Sequence, residues 1–259
     1  MSLQPLPAFS DNYIWTLSGA DGRAVVVDPG EAAPVLEAAS RGLRPALVLL
    51  THHHADHIGG CAELLRHWPG LPVFAPVDER IDLPCTRVGE GDEVVHGDWR
   101  FSVLGVPGHT RNHIAFHGHG VVFCGDTLFS LGCGRLLDDP TFEGTPAQML
   151  ASLERLASLP ADTLVCCGHE YTLANAAFAA AADPDNPALR RRTEEATAMR
   201  ERQLPTLPAT IAGERAANPF LRVDSAPVRD AIALRLGRPP RDRVETFAEL
   251  RRWKDGFSA

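Results

Sequence analysis

Apolar residues in this chain arrive in short runs, and most of these runs end in glycine beside a histidine or an aspartate. Arg23-Ala24-Val25-Val26-Val27 stops at Asp28-Pro29-Gly30, and the run 46–50 stops at Thr51-His52-His53-His54-Ala55-Asp56-His57. Residues 100–106 alternate and run into Pro107-Gly108-His109-Thr110, while 163–167 ends in Gly168-His169-Glu170-Tyr171. Residues 113–116 and 120–124 form a hairpin pair around Gly118-His119-Gly120, closing on Gly125-Asp126-Thr127. Runs of this length cross a sheet once, and glycine at the exit leaves room for unusual backbone angles and close approach. Helical spacing appears over 34–41 (Val35, Leu36, Ala39, with Gly42 as C-cap) and from Ile58-Gly59-Gly60 through Leu64 and Leu65 to Pro69-Gly70. Near the N-terminus Asp11-Asn12-Tyr13-Ile14-Trp15 leads into a strand, and Asp21-Gly22 is a hairpin signal. Strand, loop, helix order puts the histidines at the C-terminal end of a buried strand, where open sheets hold their sites.

Beyond Tyr171 the texture changes. Residues 174–182 are Ala-rich helix, Asp183-Pro184-Asp185-Asn186-Pro187 breaks it and caps another over 188–203, and 226–236 and 243–253 follow as helices. Phe220-Leu221-Arg222-Val223 is the one strand-like stretch after Cys167. The pattern therefore divides the chain into an α/β domain, 1–170, and a mostly helical domain, 171–259.

The stretch 51–57 packs four possible metal ligands, His52, His54, Asp56 and His57, into six residues. On an extended segment His52 and His54 share a side, while His53 faces away as a packing or supporting group. Asp56 and His57 are adjacent and diverge, so each of two neighbouring cations can be served. Imidazole with carboxylate suits zinc, iron or manganese, whereas calcium and magnesium call for oxygen alone. His109, Asp126 and His169, each at a strand end, extend the set. His67, His96, His117 and His119 lie in helix or turn contexts and read as surface groups, and His113 begins a strand outside the ligand set.

Composition narrows the class. The apolar fraction of 44% and charged fraction of 22% are those of an ordinary globule, with no apolar run near the ~20 residues that span a bilayer. The N-terminus lacks a signal-like core, and the six cysteines show neither a C-x-x-C pair nor a disulfide framework, which points to the cytoplasm. A net charge of −8 argues against nucleic acid as a partner. Residues 229–259 depart from that balance, with eight Arg or Lys against five Asp or Glu, and Lys254 is the sole lysine.

His-x-His-x-Asp-His with Pro-Gly-His-Thr, Gly-Asp-Thr and Gly-His resembles the metallo-β-lactamase superfamily over 1–170. That resemblance implies an αββα sandwich in which His52, His54 and His109 hold one metal. Asp56, His57 and His169 hold the second, and Asp126 bridges them. Gly132-Cys133-Gly134-Arg135, Phe142-Glu143-Gly144-Thr145, Gly168-His169-Glu170-Tyr171-Thr172, Asn218-Pro219-Phe220-Leu221-Arg222 and Arg251-Arg252-Trp253-Lys254-Asp255 are similar to glyoxalase II, the hydroxyacylglutathione hydrolases. This second resemblance extends over essentially the whole chain. It implies hydrolysis of S-(2-hydroxyacyl)glutathione, typically S-D-lactoylglutathione to D-lactate and glutathione, the second step of methylglyoxal detoxification. Asp56 and Asp126 are the catalytic pair, two divalent metals (zinc first, with iron or manganese acceptable) are the cofactors, and Arg135, Tyr171, Asn175, Arg251 and Lys254 contact the glutathione moiety. The expected assembly is a monomer without membrane partners. One departure stands out: 136–141 lengthens the connection between Arg135 and Glu143, and Phe142 carries no hydroxyl to donate.

The chemistry agrees. Two divalent metals about 3.5–4 Å apart lower the pKa of a shared water toward ~7. A thiolate leaves readily because a free thiol has a pKa of only ~8.5, so no strong general acid is required. Arg251 and Lys254, three apart on a predicted helix anchored by Phe247 and Leu250, form a receiver for a carboxylate. Three alternatives remain: another dinuclear hydrolase of the superfamily acting on other thioesters, phosphodiesters or β-lactams; an iron redox protein; and a non-catalytic metal scaffold. The acidic balance opposes a nuclease, and a single-iron dioxygenase has no need of Asp56 and His169 together.

Overall fold

The computed structural model describes residues 1–136 and 143–258; most of the lengthened connection, from residue 137, and Phe142 lie outside the described residues. The chain forms two compact units. The first comprises Met1–Gly105, Asn112–Gly125 and Cys166–Glu170, and the second Val106–Arg111, Asp126–Val165 and Tyr171–Ala259. One crossing between them falls after Glu170.

In the first unit, the strands Ser2–Ala8, Asn12–Ser18, Arg23–Val27, Arg44–Leu49, Val73–Pro76 and Thr86–Val88 form one sheet in chain order. Its N-terminal strands pair antiparallel, and from Arg23–Val27 onward the pairing is parallel. Register explains why these strands read as continuous apolar runs. Trp15 lies opposite Val27, Leu17 opposite Val25, and these continue to Leu49 and Leu47 on one face. The alternate residues Ile14, Val26 and Val48 pack with Val35 and Leu64 of the helices Ala33–Ser40 and Cys61–His67. A sheet buried on both faces has no room for polar alternation. Each of these side chains contributes about 1.5–3 kcal/mol on burial.

The strands Glu93–His96, Trp99–Gly105, Ile114–Gly118 and Val121–Gly125 pair antiparallel in sequence, and the end of Leu164–Cys167 joins them. The Trp15 indole reaches across from the first sheet to donate to the Cys167 carbonyl at 2.8 Å, and Tyr13 N–H donates to the Gly168 carbonyl at 2.8 Å. Sheet against sheet is the sandwich that the family resemblance implies.

The second unit is mostly helical: Pro146–Ala157, Thr172–Ala182, Pro187–Glu201, Ile211–Ala217, Ala226–Leu236 and Arg243–Asp255. Several of its helix starts are capped as their sequences dictate. Asn186 accepts from the N–H groups of Ala188 and Leu189, Asp242 from Glu245, and Thr145 forms a capping box with Gln148. Small residues let three helices approach closely, with Ala176 and Ala179 packing against Leu189 and Ala217. Phe178, Phe220 and Phe247 form an aromatic core beside Trp253.

Two expectations are corrected. Phe220-Leu221-Arg222-Val223 is not a strand: Pro219–Leu221 is a 3-10 turn, because Asn218 caps it by accepting from Phe220 N–H at 3.0 Å and Pro219 presets its first residue. The strand after Cys167 is instead Ala209–Thr210, paired with Leu164 and Val165. The helix expected from Ile58 is split into Ala55–Ile58 and Cys61–His67. A Cβ on Gly60 would lie 2.4 Å from the Glu31 backbone, so the two segments turn where only glycine fits.

Asn218 also fastens a small hairpin, Leu128–Phe129 with Gly132–Cys133: its amide donates to the carbonyls of Phe129 at 3.1 Å and Gly132 at 2.9 Å and to Glu214 at 2.9 Å. Asn218→Ala strands these buried acceptors, and the expected loss is roughly 2–4 kcal/mol, at about 1–3 kcal/mol per unsatisfied group. The readout is a lower urea midpoint at unchanged slope.

Candidate metal centre and substrate pocket

The ligand stretch leaves the strand Arg44–Leu49 and is pinned at once, Thr51 carbonyl accepting from Ile114 N–H at 3.0 Å. His54 is extended and sits at the N-cap of the single turn Ala55–Ile58. Asp56 and His57 are thus successive residues on a helical turn, about 100° apart, which is how adjacent ligands diverge. His57 Nε2 lies 3.5 Å from Asp56 Oδ2, and His169 Nε2 lies 3.4 Å from the same oxygen. The ligand atoms of Asp56, His57 and His169 fall within 4.8 Å of one another, a spacing one cation can satisfy. His52 and His54 have ring centroids 4.7 Å apart, and His52 is 4.1 Å from His57.

Asp28 groups with His52 and His57 by distance, yet its hydrogen bonds give it a different task. Its carboxylate accepts from Thr51 N–H at 2.8 Å and Thr51 Oγ1 at 2.7 Å, and its Oδ2 lies 3.1 Å from His57 Nδ1. A carboxylate on Nδ1 makes that nitrogen the protonated one and turns Nε2 toward Asp56, so these hydrogen bonds commit Asp28 to orienting the imidazole. It does so from a left-handed backbone, φ 51°, which aspartate tolerates better than most residues.

Of the remaining expected ligands, His109 and Asp126 lie in the second unit, with His109 Nε2 3.5 Å from Asp126 Oδ2. His109 Nδ1 is 3.1 Å from the Arg135 carbonyl, an acceptor that makes Nδ1 the protonated nitrogen of the tautomer. Gly134 packs so closely here that a Cβ would sit 1.9 Å from the Asp126 carbonyl and 3.1 Å from His109 Cβ.

His53 turns away from its neighbours toward the buried Asp78, 3.6 Å distant. The Arg80 guanidinium beside Asp78 holds that carboxyl down to about 2, against the opposing effect of its burial. His113, left outside the ligand set on sequence, is buried and stacks on His52 at 4.6 Å and 18°. Burial lowers the pKa of His117, consistent with a half-buried group rather than an exposed one.

The expected substrate residues assemble within the second unit. A pocket of about 280 Å³ is lined by Phe129, Cys133, Arg135, Tyr171, Arg251 and Lys254. Tyr171 stands edge-on to Phe129 at 5.3 Å. Asn175 also borders this space, but it is buried and its amide donates to the Ser130 carbonyl at 3.0 Å. Arg251 is likewise buried, donating to the Cys133 carbonyl at 2.9 Å and to Asp255 at 2.9 Å, with its guanidinium over the Phe220 ring. Lys254 Nζ lies 3.3 Å from the Ala174 carbonyl. Burial, then the charges of Arg251 and Arg135, lower its pKa. Burial pushes the Cys133 thiol up to about 11, partly offset by Arg251.

Asp28 and Phe129 were not among the site residues expected from the sequence, Cys133 entered only as part of the motif 132–135, and His113 was placed outside the ligand set. For Asp28 the sequence offers only an aspartate closing an apolar run before Pro29-Gly30; the parallel pairing of Val27 with Leu49 is what brings it beside the ligand stretch.

Comparison with known proteins gives a consistent result. Residues 13–169 match the metallo-beta-lactamase superfamily, and 170–257 match the hydroxyacylglutathione hydrolase C-terminus. Similar relatives include the hydroxyacylglutathione hydrolase of Xylella fastidiosa (strain M23), 58% identical over 257 residues covering 99% of this chain and 98% of that one. The hydroxyacylglutathione hydrolase of Xanthomonas axonopodis pv. citri (strain 306) is 59% identical, covering 100% of both. Among solved structures, ETHE1 from Myxococcus xanthus is similar at TM-score 0.65 and 27% identity, covering 100% of this chain and 92% of that one. TTHA1623 in a di-iron-bound form is similar at 0.59 and 28%, covering 85% and 100%.

Gly134→Ala is expected to displace Asp126 and His109 together, because nothing flexible lies in the way of the added carbon. Metal analysis of the purified variant should show less bound metal per chain than wild type, with far-UV circular dichroism unchanged.

Proposed function

The chain belongs to the metallo-beta-lactamase superfamily and, within it, to the hydroxyacylglutathione hydrolases, and from that premise we propose how its residues divide the work. It hydrolyses the thioester of S-(2-hydroxyacyl)glutathione, with S-D-lactoylglutathione as the substrate, yielding D-lactate and glutathione. The His and Asp donors suit divalent metals. In our reading His52, His54 and His109 hold one zinc, Asp56, His57 and His169 hold another, and Asp126 is shared. When bound, such a pair supplies a nucleophile from water at neutral pH and draws charge from the thioester carbonyl. TTHA1623 in its di-iron-bound form lends support to a two-metal site, and iron is the alternative occupant.

The protein's own part is to aim and to bind. Asp28 and the Arg135 carbonyl each take up the Nδ1 side of a histidine, so that Nε2 is the donor atom of His57 and of His109. Residues 1–170 then act as the catalytic domain and 171–259 as the substrate-binding domain.

The observation that carries the substrate reading is the charge of the pocket. Arg135, Arg251 and Lys254 line it against Asp255 as the neighbouring anion, and the two guanidiniums help depress the Lys254 ammonium. A site that disfavours its own positive charge is relieved by an anionic ligand, and glutathione brings carboxylates. Arg251 contributes chiefly by holding Cys133 and Asp255, leaving Lys254 and Arg135 as the direct receivers, with Tyr171 and Phe129 as the apolar wall. Asn175 shapes the wall by fixing the Ser130 carbonyl. The accompanying reading is a cytoplasmic monomer without nucleic-acid or membrane partners. Its cysteines are all free, as a reducing compartment keeps them, and no helix among the described residues is long and apolar enough to cross a membrane.

The first test follows loss of thioester absorbance with S-D-lactoylglutathione and metal-replete protein. Turnover is expected; rapid cleavage of a phosphodiester or a different thioester with none here would sink the assignment.

Lys254→Ala should raise KM about 10- to 100-fold, the worth of a charged hydrogen bond, with a much smaller change in kcat. The pH dependence follows from the direction of the shift. A lysine with a lowered pKa is charged below that value and neutral above it. KM should therefore climb with rising pH before the ordinary lysine range near 10.5 is reached, and this limb should vanish in Lys254→Ala.

A further inference from the structure

We propose that Asp11 and Asn12, in the turn of the N-terminal hairpin, set the affinity of the second metal position by holding His169 and Asp56. The inference rests on the reading of Asp56, His57 and His169 as one ligand set.

The hairpin pairs Ala8 with Asn12, so Phe9, Ser10 and Asp11 form its turn. That turn is itself fixed, since Phe9 N–H donates to Glu31 Oε1 at 3.1 Å. Backbone bonds then run along both sides of His169. Tyr13 N–H donates to the Gly168 carbonyl at 2.8 Å, and Glu170 N–H donates to the Asp11 carbonyl at 2.8 Å, closing a bridge between Asn12 and His169. The Tyr13 hydroxyl adds a bond to Glu170 Oε2 at 3.0 Å. Segments 157 residues apart in the chain are thereby locked in register.

From this platform two side chains reach the ligands. Asp11 Oδ1 lies 2.7 Å from His169 Nδ1, which fixes the tautomer that presents Nε2, the atom 3.4 Å from Asp56 Oδ2. Asn12 Nδ2 donates to Asp56 Oδ2 at 3.0 Å and to the Asp56 carbonyl at 3.3 Å. Both neighbours of that nitrogen are acceptors, so the amide orientation follows from the contacts. The carboxylate is the most exposed member of its set, at 42%, and it gains rotamers if the amide is removed. One dipeptide thus restrains two ligands, Asp56 and His169, that are far apart in the chain. The first set is oriented by other groups: Thr51 Oγ1 lies 3.0 Å from His52 Nδ1, and the Arg135 carbonyl serves His109. Partners of this kind typically govern metal affinity by about 10- to 100-fold.

The experiment uses the full-length protein loaded with zinc. Wild type, Asn12→Ala and Asp11→Asn are dialysed against graded chelator, and zinc per chain is counted at each step. Melting temperatures of the fully stripped proteins are recorded alongside. Asp11→Asn keeps an acceptor and removes the charge, so its effect should be the smaller. The expected result is that each variant releases one of its two zinc ions at about 10- to 100-fold lower chelator activity, holds the other as wild type does, and melts like wild type when stripped. Retention of both ions with wild-type strength overturns the inference. So does loosening of both ions together with a lower melting temperature of the stripped variant, which would make the hairpin a mere brace. A wild-type chain that holds a single zinc overturns the dinuclear reading and this inference with it, whereas two in wild type and no change in the variants overturns the inference alone.

Discussion

The carboxylate of Asp28 is the contact on which the geometry of the first unit's His-rich stretch depends. It takes a backbone N–H, a hydroxyl and an imidazole on its two oxygens, all from the stretch Thr51 to His57. Burying a carboxylate costs several kcal/mol unless its lone pairs are met, and here three partners meet them. The return is geometric. Thr51 is held where the strand ends, the loop begins in a fixed direction, and His57 can present only Nε2. Without that acceptor, a run of adjacent histidines has many rotamers and two tautomers each, and few combinations bring the ligand atoms within reach of one cation.

That acceptor is in place because the two strands bearing it lie side by side. Val27 pairs with Leu49 in parallel, so their exits, Asp28 and the ligand stretch, leave the sheet at the same edge. Parallel neighbours stay aligned only where both faces are covered, which the helices Ala33–Ser40 and Cys61–His67 do on one side and Trp15 with the second sheet does on the other. Apolar burial thus decides where the polar groups meet. The second unit uses a comparable device with an amide in place of a carboxylate: Asn218 ties the hairpin that carries Phe129 and Cys133.

Strand ends were legible in the sequence because most are apolar runs stopped by glycine or a polar cluster, and the candidate donors stood out because few structural roles require His, His, Asp and His so close together. The helical second half was legible through its breaks, with Asn186 capping where its Asp-Pro-Asp-Asn-Pro setting predicts. What stayed hidden was anything that depends on which segments become neighbours. Asp11 and Asn12 look like ordinary turn residues until Gly168 and Glu170 are laid against them. His113 begins a strand in the sequence, and only the register of that strand with Thr51 stacks it on His52. Phe220 reads as strand by propensity, but Asn218 and Pro219 impose a tight turn that local preference cannot outbid.

A helix carrying Arg251 and Lys254 suggests two equal receivers for a carboxylate, yet the structure gives the two cations different duties. Arginine presents five donors in a rigid fork and is less costly to desolvate than an ammonium, so it suits the buried position, where it joins Cys133 to Asp255 and lies over Phe220. Lysine keeps a flexible stem and sits half-buried at the pocket, with Ala174 its protein acceptor at 3.3 Å, longer than a strong charged bond. Burial, and after it the charge of the neighbouring arginine, depresses the lysine ammonium. Exchanging the two residues would preserve the pocket's charge but put the flexible cation in the core and the rigid one at the opening. Charge alone therefore does not define this site; the order of the two cations along one helix does.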